Sequence, residues 1–246
     1  MIDPSLDYSG KTVCIIGGSS GIGNASAQAF RARGAEVHVT GTRGSEADYK
    51  ADEGSDLSGL IYHQLDAGDD AAIIALRQKF TRLDILVCSQ GMVMYKRAEF
   101  EPENFAKVVQ VNLNSLMTCA GQFYDLLKET KGSLIIISST AAFHATVGNP
   151  GYNASKAGAA GLTRTLGKAW APDGIRVNGV APGLIATKMT KVTTDNPKRR
   201  DATIRSIPLG RIGDTDDMAG LVLFLASPLA GYIVGQTIIA DGGLLL

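Results

Sequence analysis

Residues 12–40 read Thr12-Val-Cys-Ile-Ile16-Gly17-Gly-Ser-Ser-Gly21-Ile-Gly23-Asn-Ala-Ser-Ala-Gln-Ala-Phe30-Arg-Ala-Arg-Gly34-Ala-Glu36-Val-His-Val-Thr40. Thr12 to Ile16 is a short apolar strand that runs into a glycine-rich turn. A helical pattern carrying Ala25, Ala29 and Phe30 follows and stops at Gly34, and Glu36 to Thr40 reads as a second strand. Strand, glycine turn, helix and strand form the unit that seats a phosphate at a helix N-terminus, where backbone N–H groups and the helix dipole favour an anion. The spacing is G-x-x-x-G-x-G rather than the commoner G-x-G-x-x-G, so that motif's geometry does not transfer automatically. Taken alone the turn is equally a glycine-rich connection; its setting favours nucleotide binding.

The same alternation continues along the chain. Leu60 to Leu65 reads as a third strand ending at Asp66, and Asp69 to Phe80 as an amphipathic helix. Leu83 to Cys88 is a fourth strand, followed by Ser89-Gln90-Gly91, and Pro102 to Lys128 is a long helix with its proline in the first turn. Leu134 to Ser138, Ile175 to Val180 and Thr237 to Ala240 supply three more strands, with helices over Tyr152 to Trp170 and Asp216 to Leu225. Between Gly41 and Gly59 the chain is polar, with only a weak helix near Ser45 to Tyr49. Strands alternating with helices imply an α/β fold with a parallel sheet covered on both faces. No linker, repeat or low-complexity run interrupts residues 1–246, which read as a single domain.

Lys plus Arg and Asp plus Glu number 24 each, so no global charge points to nucleic acid or an acidic partner. Cys14, Cys88 and Cys119 are few, odd in number and set in apolar surroundings, which suits buried free thiols better than disulfides or metal ligands; no metal is expected. Met1 to Gly10 has no apolar core and does not resemble a leader, and no apolar run reaches the roughly 18–20 residues of a membrane span. The expectation is a soluble cytoplasmic protein.

Tyr152 and Lys156 stand four apart on a helix, hence on one face. A nearby ammonium favours a phenolate, so the pair is a plausible acid–base device, although an exposed Y-x-x-x-K pair is the commoner meaning. Asn112, among Val108, Val109, Val111 and Leu113, is either buried and hydrogen-bonded or facing a site. In a parallel sheet ligands bind beyond the carboxyl ends of the strands. The glycine turn, Asp66, Ser89-Gln90-Gly91, Ser139 and Ala181-Pro182-Gly183 all fall at such ends, which argues for one shared cleft.

At this point the chain closely resembles the short-chain dehydrogenase/reductase family, over roughly Gly10 to Gly243. The resemblance rests on I-G-G-S-S-G-I-G at 16–23, Asp66, Asn112, S-S at 138–139, Y-N-A-S-K at 152–156, R-V-N-G-V-A-P-G at 176–183, Thr187 and the closing D-G-G. It implies a Rossmann-type doubly wound fold of seven parallel strands, a nicotinamide cofactor and a homotetramer. It implies that Tyr152 is the proton donor or acceptor, that Ser139 holds the substrate oxygen, and that Lys156 lowers the tyrosine pKa and binds the nicotinamide ribose. Asn112 would anchor a water in a proton relay. The cofactor is expected against Gly17, Ser19, Ser20, Gly21, Ile22, Gly23, Thr42, Arg43, Asp66, Gly91, Tyr152, Lys156, Pro182, Gly183 and Thr187.

Two departures stand out: Ile16 replaces the family's threonine, and Cys88-Ser89-Gln90-Gly91 replaces N-N-A-G. Members preferring NAD usually carry an aspartate where this chain has Gly41. Its absence, with Arg43 close by, points to NADP, with NAD as the alternative; Arg43 also reads as an ordinary loop charge. Lys188 to Ile207 is expected to cover the substrate, its basic residues either drawing an anion or simply solvating a mobile lid. Met92, Met94, Phe143, His144 and Val147 are candidate pocket residues. The expected activity is interconversion of a small-molecule ketone and a secondary alcohol, as an alcohol dehydrogenase or carbonyl reductase. One alternative is 3-oxoacyl-[acyl-carrier-protein] reduction, with Lys128 and Lys131 as a docking patch. The other is a nucleotide-binding regulator without turnover.

Overall fold

Alternation along each strand decides which layer its side chains join. In β1 (Thr12–Ile16), Val13 and Ile15 enter one core layer while Cys14 and Ile16 enter the other. Residues of β4 (Ile85–Cys88) and β5 (Ser133–Ile137) divide in the same way, and all of them are buried, as expected of parallel strands covered on both faces. The computed structural model describes residues 4–246, so Met1, Ile2 and Asp3 of the stretch read as carrying no leader lie outside the described residues.

β2 (Glu36–Gly41), β3 (Ile61–Gln64), β6 (Arg176–Pro182) and β7 (Thr237–Ala240) complete a seven-stranded parallel sheet in the order β3-β2-β1-β4-β5-β6-β7. Helices α1 (Gly21–Arg31) and α8 (Thr215–Ala226) cover one face through Ala27, Phe30, Met218 and Val222. Helices α2 (Asp70–Arg77), α4 (Ser115–Thr130) and α5 (Pro150–Trp170) cover the other through Ile73, Leu116, Phe123 and Leu166. This is the expected doubly wound, Rossmann-type arrangement. The three cysteines are buried and free. No helix among the described residues is long and apolar enough to cross a membrane.

Three segments differ from, or refine, the sequence reading. The expected helix over Pro102 to Lys128 is composite: α3 (Pro102–Val109) passes through a π turn (Gln110–Asn114) into α4. Such turns insert one extra residue and are frequent at functional sites, and Asn112 sits in this one. The lid region forms a short turn followed by α6 (Lys191–Thr194) and α7 (Pro197–Ser206). Between Gly41 and Gly59 only a 3₁₀ turn forms, over Glu46–Tyr49. Its packing comes from one residue: Tyr49 is buried, and its hydroxyl accepts the Arg43 N–H at 3.2 Å.

The strand order reverses between β1 and β4, and their exit loops meet there. Gly17 has φ +76°, and a Cβ on it would lie 2.8 Å from Gln90 Cα, so glycine is required both by conformation and by space. Close approach also explains the small residues of α5: a Cβ on Gly167 would stand 2.6 Å from Gly235 Cα and 2.7 Å from Gly235 N. Gly121, exposed in the middle of α4, has nothing within 4 Å of its notional Cβ. Alanine is worth ~1 kcal/mol over glycine inside a helix, whereas overpacking against backbone costs ~1–3 kcal/mol. Urea unfolding should therefore show Gly121→Ala stabilised by up to ~1 kcal/mol and Gly167→Ala destabilised, despite identical chemistry.

Candidate active site

The cleft opens at this reversal point and has a volume of about 520 Å³. Its walls bring together Gly17, Ser19, Ser20, Gly21, Ile22, Thr42, Asp66, Gly91, Tyr152, Lys156, Pro182, Gly183 and Thr187 from the sequence reading. The first turn of α1 faces into it through Ser20, Gly21 and Ile22, as a site for a bridging phosphate requires. A cleft that brings a helix N-terminus together with hydroxyl and ammonium groups suits a dinucleotide.

Four expected site residues do not line the cleft. Gly23 lies inside the turn, where a Cβ would be 2.4 Å from Gly17 O. Arg43 is turned aside: its guanidinium pairs with Asp52 at 2.6 Å and lies 4.6 Å from the Tyr49 ring centroid. Ser139 caps the short turn over Thr140–Ala142, its Oγ accepting the Ala141 N–H at 3.1 Å, and its hydroxyl draws the Tyr152 phenol downward in pKa. Asn112 is fully buried behind Gly91; its Oδ1 accepts the Met92 N–H at 2.7 Å, while its Nδ2 donates to Met92 O at 2.9 Å and to Ser155 Oγ at 3.2 Å. The choice left open for Asn112 thus resolves to a buried amide that clasps the strand-exit loop. A Cβ on Gly91 would lie 3.5 Å from Lys156 Nζ and 3.7 Å from Asn112 Oδ1, so the clasp abuts the ammonium.

Of the five candidate pocket residues, only Met92 lines the cleft. Phe143 and Val147 are exposed, and His144 is exposed with Nδ1 2.9 Å from Thr140 O. Lys188 and Met189, at the start of the segment expected to cover the substrate, do line it, as do Lys107 and Val111, for which no site role was expected. Lys188 also bonds Asp52 at 2.5 Å, so a single carboxylate joins the lid to Arg43.

Tyr152 and Lys156 lie on one face of α5, with Nζ 5.7 Å from the phenol ring centroid. The lysine is 4 % exposed, donates to Ile137 O at 2.8 Å, and is pulled down to about 8 by burial. The phenol is raised rather than lowered: burial dominates, the Ser139 hydrogen bond opposes it, and Tyr95 and Glu99 push further upward. Lys156 is not among the groups that act on the free phenol, whose burial outweighs the Ser139 hydrogen bond. At neutral pH the phenol keeps its proton and stands ready as a donor.

The fold, the reversal-point cleft and the hydroxyl–ammonium group together define a dinucleotide-dependent oxidoreductase site. The family described as enoyl-(acyl carrier protein) reductase matches residues 17–245. The chain is 36% identical to a 2-dehydro-3-deoxy-D-gluconate 5-dehydrogenase of Bacillus subtilis, covering 97% of this chain and 96% of the relative. It is 35% identical to a 3-oxoacyl-[acyl-carrier-protein] reductase of Chlamydia pneumoniae, over 96% and 97% of the two chains. Among solved structures, the Pseudomonas aeruginosa RhlG/NADP active-site complex superposes with a TM-score of 0.91 at 30% identity over 100% of both chains. The chain belongs to the short-chain dehydrogenase/reductase family, the NAD(P)-dependent oxidoreductases of CH–OH and C=O groups.

Buried Lys156 releases its proton near pH 8 in the folded state, against 10.5 ordinarily. Between those values the unfolded chain binds more protons, so this group's contribution to stability rises with pH; below 8 the burial penalty is felt in full. Lys156→Met should therefore gain stability relative to wild type at pH 7 and lose that advantage by pH 10, read from urea unfolding at both pH values.

Proposed function

We propose that this chain, acting as one catalytic domain, is an NADP(H)-preferring reductase and dehydrogenase that interconverts a small ketone and a secondary alcohol. The observation that carries the reading is Tyr152 beside buried Lys156 in the same cleft that the Ser20–Ile22 helix terminus lines. In reduction Tyr152 gives its proton to the carbonyl oxygen, Ser139 holds that oxygen, and Lys156 steadies the phenolate left behind. In oxidation the phenolate takes the alcohol proton. Asn112, by clasping the Met92 backbone, keeps the loop beside Lys156 in place for proton exchange with solvent. When bound, the nicotinamide supplies or removes the hydride, and the protein contributes orientation and a proton. Ser19, Thr42 and Asp66 are assigned to the adenosine half, and Gly91, Pro182, Gly183 and Thr187 to the nicotinamide half. Tyr152→Phe is expected to retain cofactor binding and to lose turnover at least a hundredfold in a screen of ketones and alcohols followed at the nicotinamide absorbance band.

The NADP preference is supported by the floor of the adenosine pocket. A Cβ on Gly41 would lie 2.4 Å from the Tyr49 hydroxyl and 2.6 Å from Ser19 Oγ, so this chain has no room for the carboxylate that NAD-preferring members place there. Arg43, one residue beyond Thr42, is the cation available to a 2′-phosphate once it leaves Asp52. A charge-assisted contact of that kind contributes about 1.5–3 kcal/mol when sheltered, and this arginine is 43% exposed. Arg43→Ala should weaken NADPH about tenfold and leave NADH within about twofold, by fluorescence titration. NADH binding as tight as NADPH in the wild type would contradict the preference.

A second substrate reading, 3-oxoacyl-thioester reduction, draws on the Chlamydia relative, whose identity nearly equals that of the gluconate-type enzyme. The lysines first considered for carrier docking do not help it. Lys128 pairs with Asp173 at 2.8 Å, and it and Lys131 lead into the amino end of β5, across the sheet from the cleft. Acetoacetyl thioesters belong in the same screen as simple ketones. Cytoplasmic location and assembly as a homotetramer complete the proposal. The partly buried Leu244 and Leu245, the fully exposed Leu246 and the exposed Ile239 are the apolar surface that subunit contact would cover.

A further inference from the structure

One buried charge near the site has no part in the chemistry above. Glu99, in the loop between β4 and α3, is 1 % exposed, and no lysine, arginine or histidine pairs with it among the described residues. Its carboxylate is held by N–H donors alone. Oε1 accepts from the Met94 backbone at 2.9 Å and from Asn149 Nδ2 at 3.3 Å, and Oε2 accepts the Tyr152 backbone N–H at 2.8 Å. A desolvated carboxylate is tolerable only when such bonds satisfy it.

The bond to Tyr152 falls in the first turn of α5, whose N-cap residue Asn149 makes no capping bond. Asn149 instead donates to Met94 O at 3.0 Å and to Glu99. The exposed amide and the positive end of this 21-residue helix are thus met by a carboxylate from another segment. Gly151 leaves the space for it: a Cβ there would lie 3.3 Å from Oε2. The same loop reaches the lid, because the Tyr95 hydroxyl donates to Met189 O at 2.7 Å.

We infer that Glu99 is a positioning residue that docks residues 92–101 onto the amino end of α5 and so sets where the Tyr152 hydroxyl stands relative to Ser139 and the substrate. The inference rests on the acid–base role proposed for Tyr152. Both carboxylate oxygens accept N–H bonds, and this decides the test. Glu99→Gln keeps the shape but presents an NH₂ to a donor whichever way the amide turns, whereas Glu99→Asp is shorter and keeps both acceptors.

With full-length protein, NADPH and a ketone that the wild type reduces, Glu99→Gln is expected to lower kcat tenfold or more while KM and the NADPH Kd stay within about threefold. Glu99→Asp should retain more kcat than Glu99→Gln; the reverse order would mean that the side chain only fills space, and would overturn the inference, as would an unchanged kcat in Glu99→Gln. Should Glu99→Gln fail to fold, as judged by NADPH binding and thermal melting, Asn149→Ala removes one of the three donors to Glu99, together with the bond to Met94 O that ties the same loop to α5, and is expected to cost several-fold in kcat at unchanged KM; no loss there overturns the inference equally. Tyr152→Phe is assayed alongside. Wild-type turnover in that variant removes the acid–base reading and this inference with it, a result distinct from Tyr152-dependent turnover that is indifferent to Glu99.

Discussion

Helix α5 is fastened to the end of β5 by two bonds made through one residue. The Lys156 ammonium donates to Ile137 O at 2.8 Å, and the Lys156 carbonyl accepts from Ser138 Oγ at 2.9 Å. Neither bond is exposed, so neither is exchanged cheaply for water. Together they set the rotation of α5 about its axis, and that rotation turns Tyr152, one helical turn earlier, toward the cleft. The β4 exit loop and the Asn112 amide of the π turn lie against this anchored group, and the glycine turn packs in turn on that loop at Gln90.

The anchoring has an electrostatic consequence. Burial that makes the lysine bonds strong also removes solvation from both Lys156 and Tyr152, lowering the former and raising the latter. Burial therefore keeps the proton on the phenol and loosens the lysine's hold on its own, though at neutral pH most of the lysine remains an ammonium. Asn112 belongs to the same arrangement. The extra residue of the π turn aims its amide at the Met92 backbone instead of along the helix, and the clasp it forms keeps the β4 exit loop, with Gly91, against the ammonium.

Most of the architecture could be read from side-chain order. Short, β-branched apolar runs such as Leu134 to Ile137, bounded by glycine and serine, suit a strand in a sheet covered on both sides. Short-range spacing likewise placed Tyr152 and Lys156 on one helix face, and six of the eight residues of the β1–α1–β2 unit that the family resemblance assigned to the cofactor do line the cleft. What escaped the reading was long-range and irregular. Glu99 lies in a loop without periodicity, and its partners Met94, Asn149 and Tyr152 are linked to it only by folding. Arg43 was expected at the cofactor; a carboxylate nine residues later, in a segment with no regular structure, holds it aside. Phe143 and Val147 follow β5 directly, yet their loop turns outward, so proximity along the chain misplaced them.

The amino-acid order by itself determined the parallel sheet and the helix on which tyrosine and lysine meet, because each depends on contacts within a few residues or on a periodic apolar pattern, and its ordered motifs carried the resemblance to the family. The tertiary structure alone decided how the groups are charged and held: that the phenol is raised and the lysine lowered, that Asn112 clasps a loop, and that Gly41 is closed to a side chain by the Tyr49 hydroxyl. Those outcomes depend on how deeply each group is removed from water and on which distant atoms come within bonding distance, and neither quantity exists until the chain has folded.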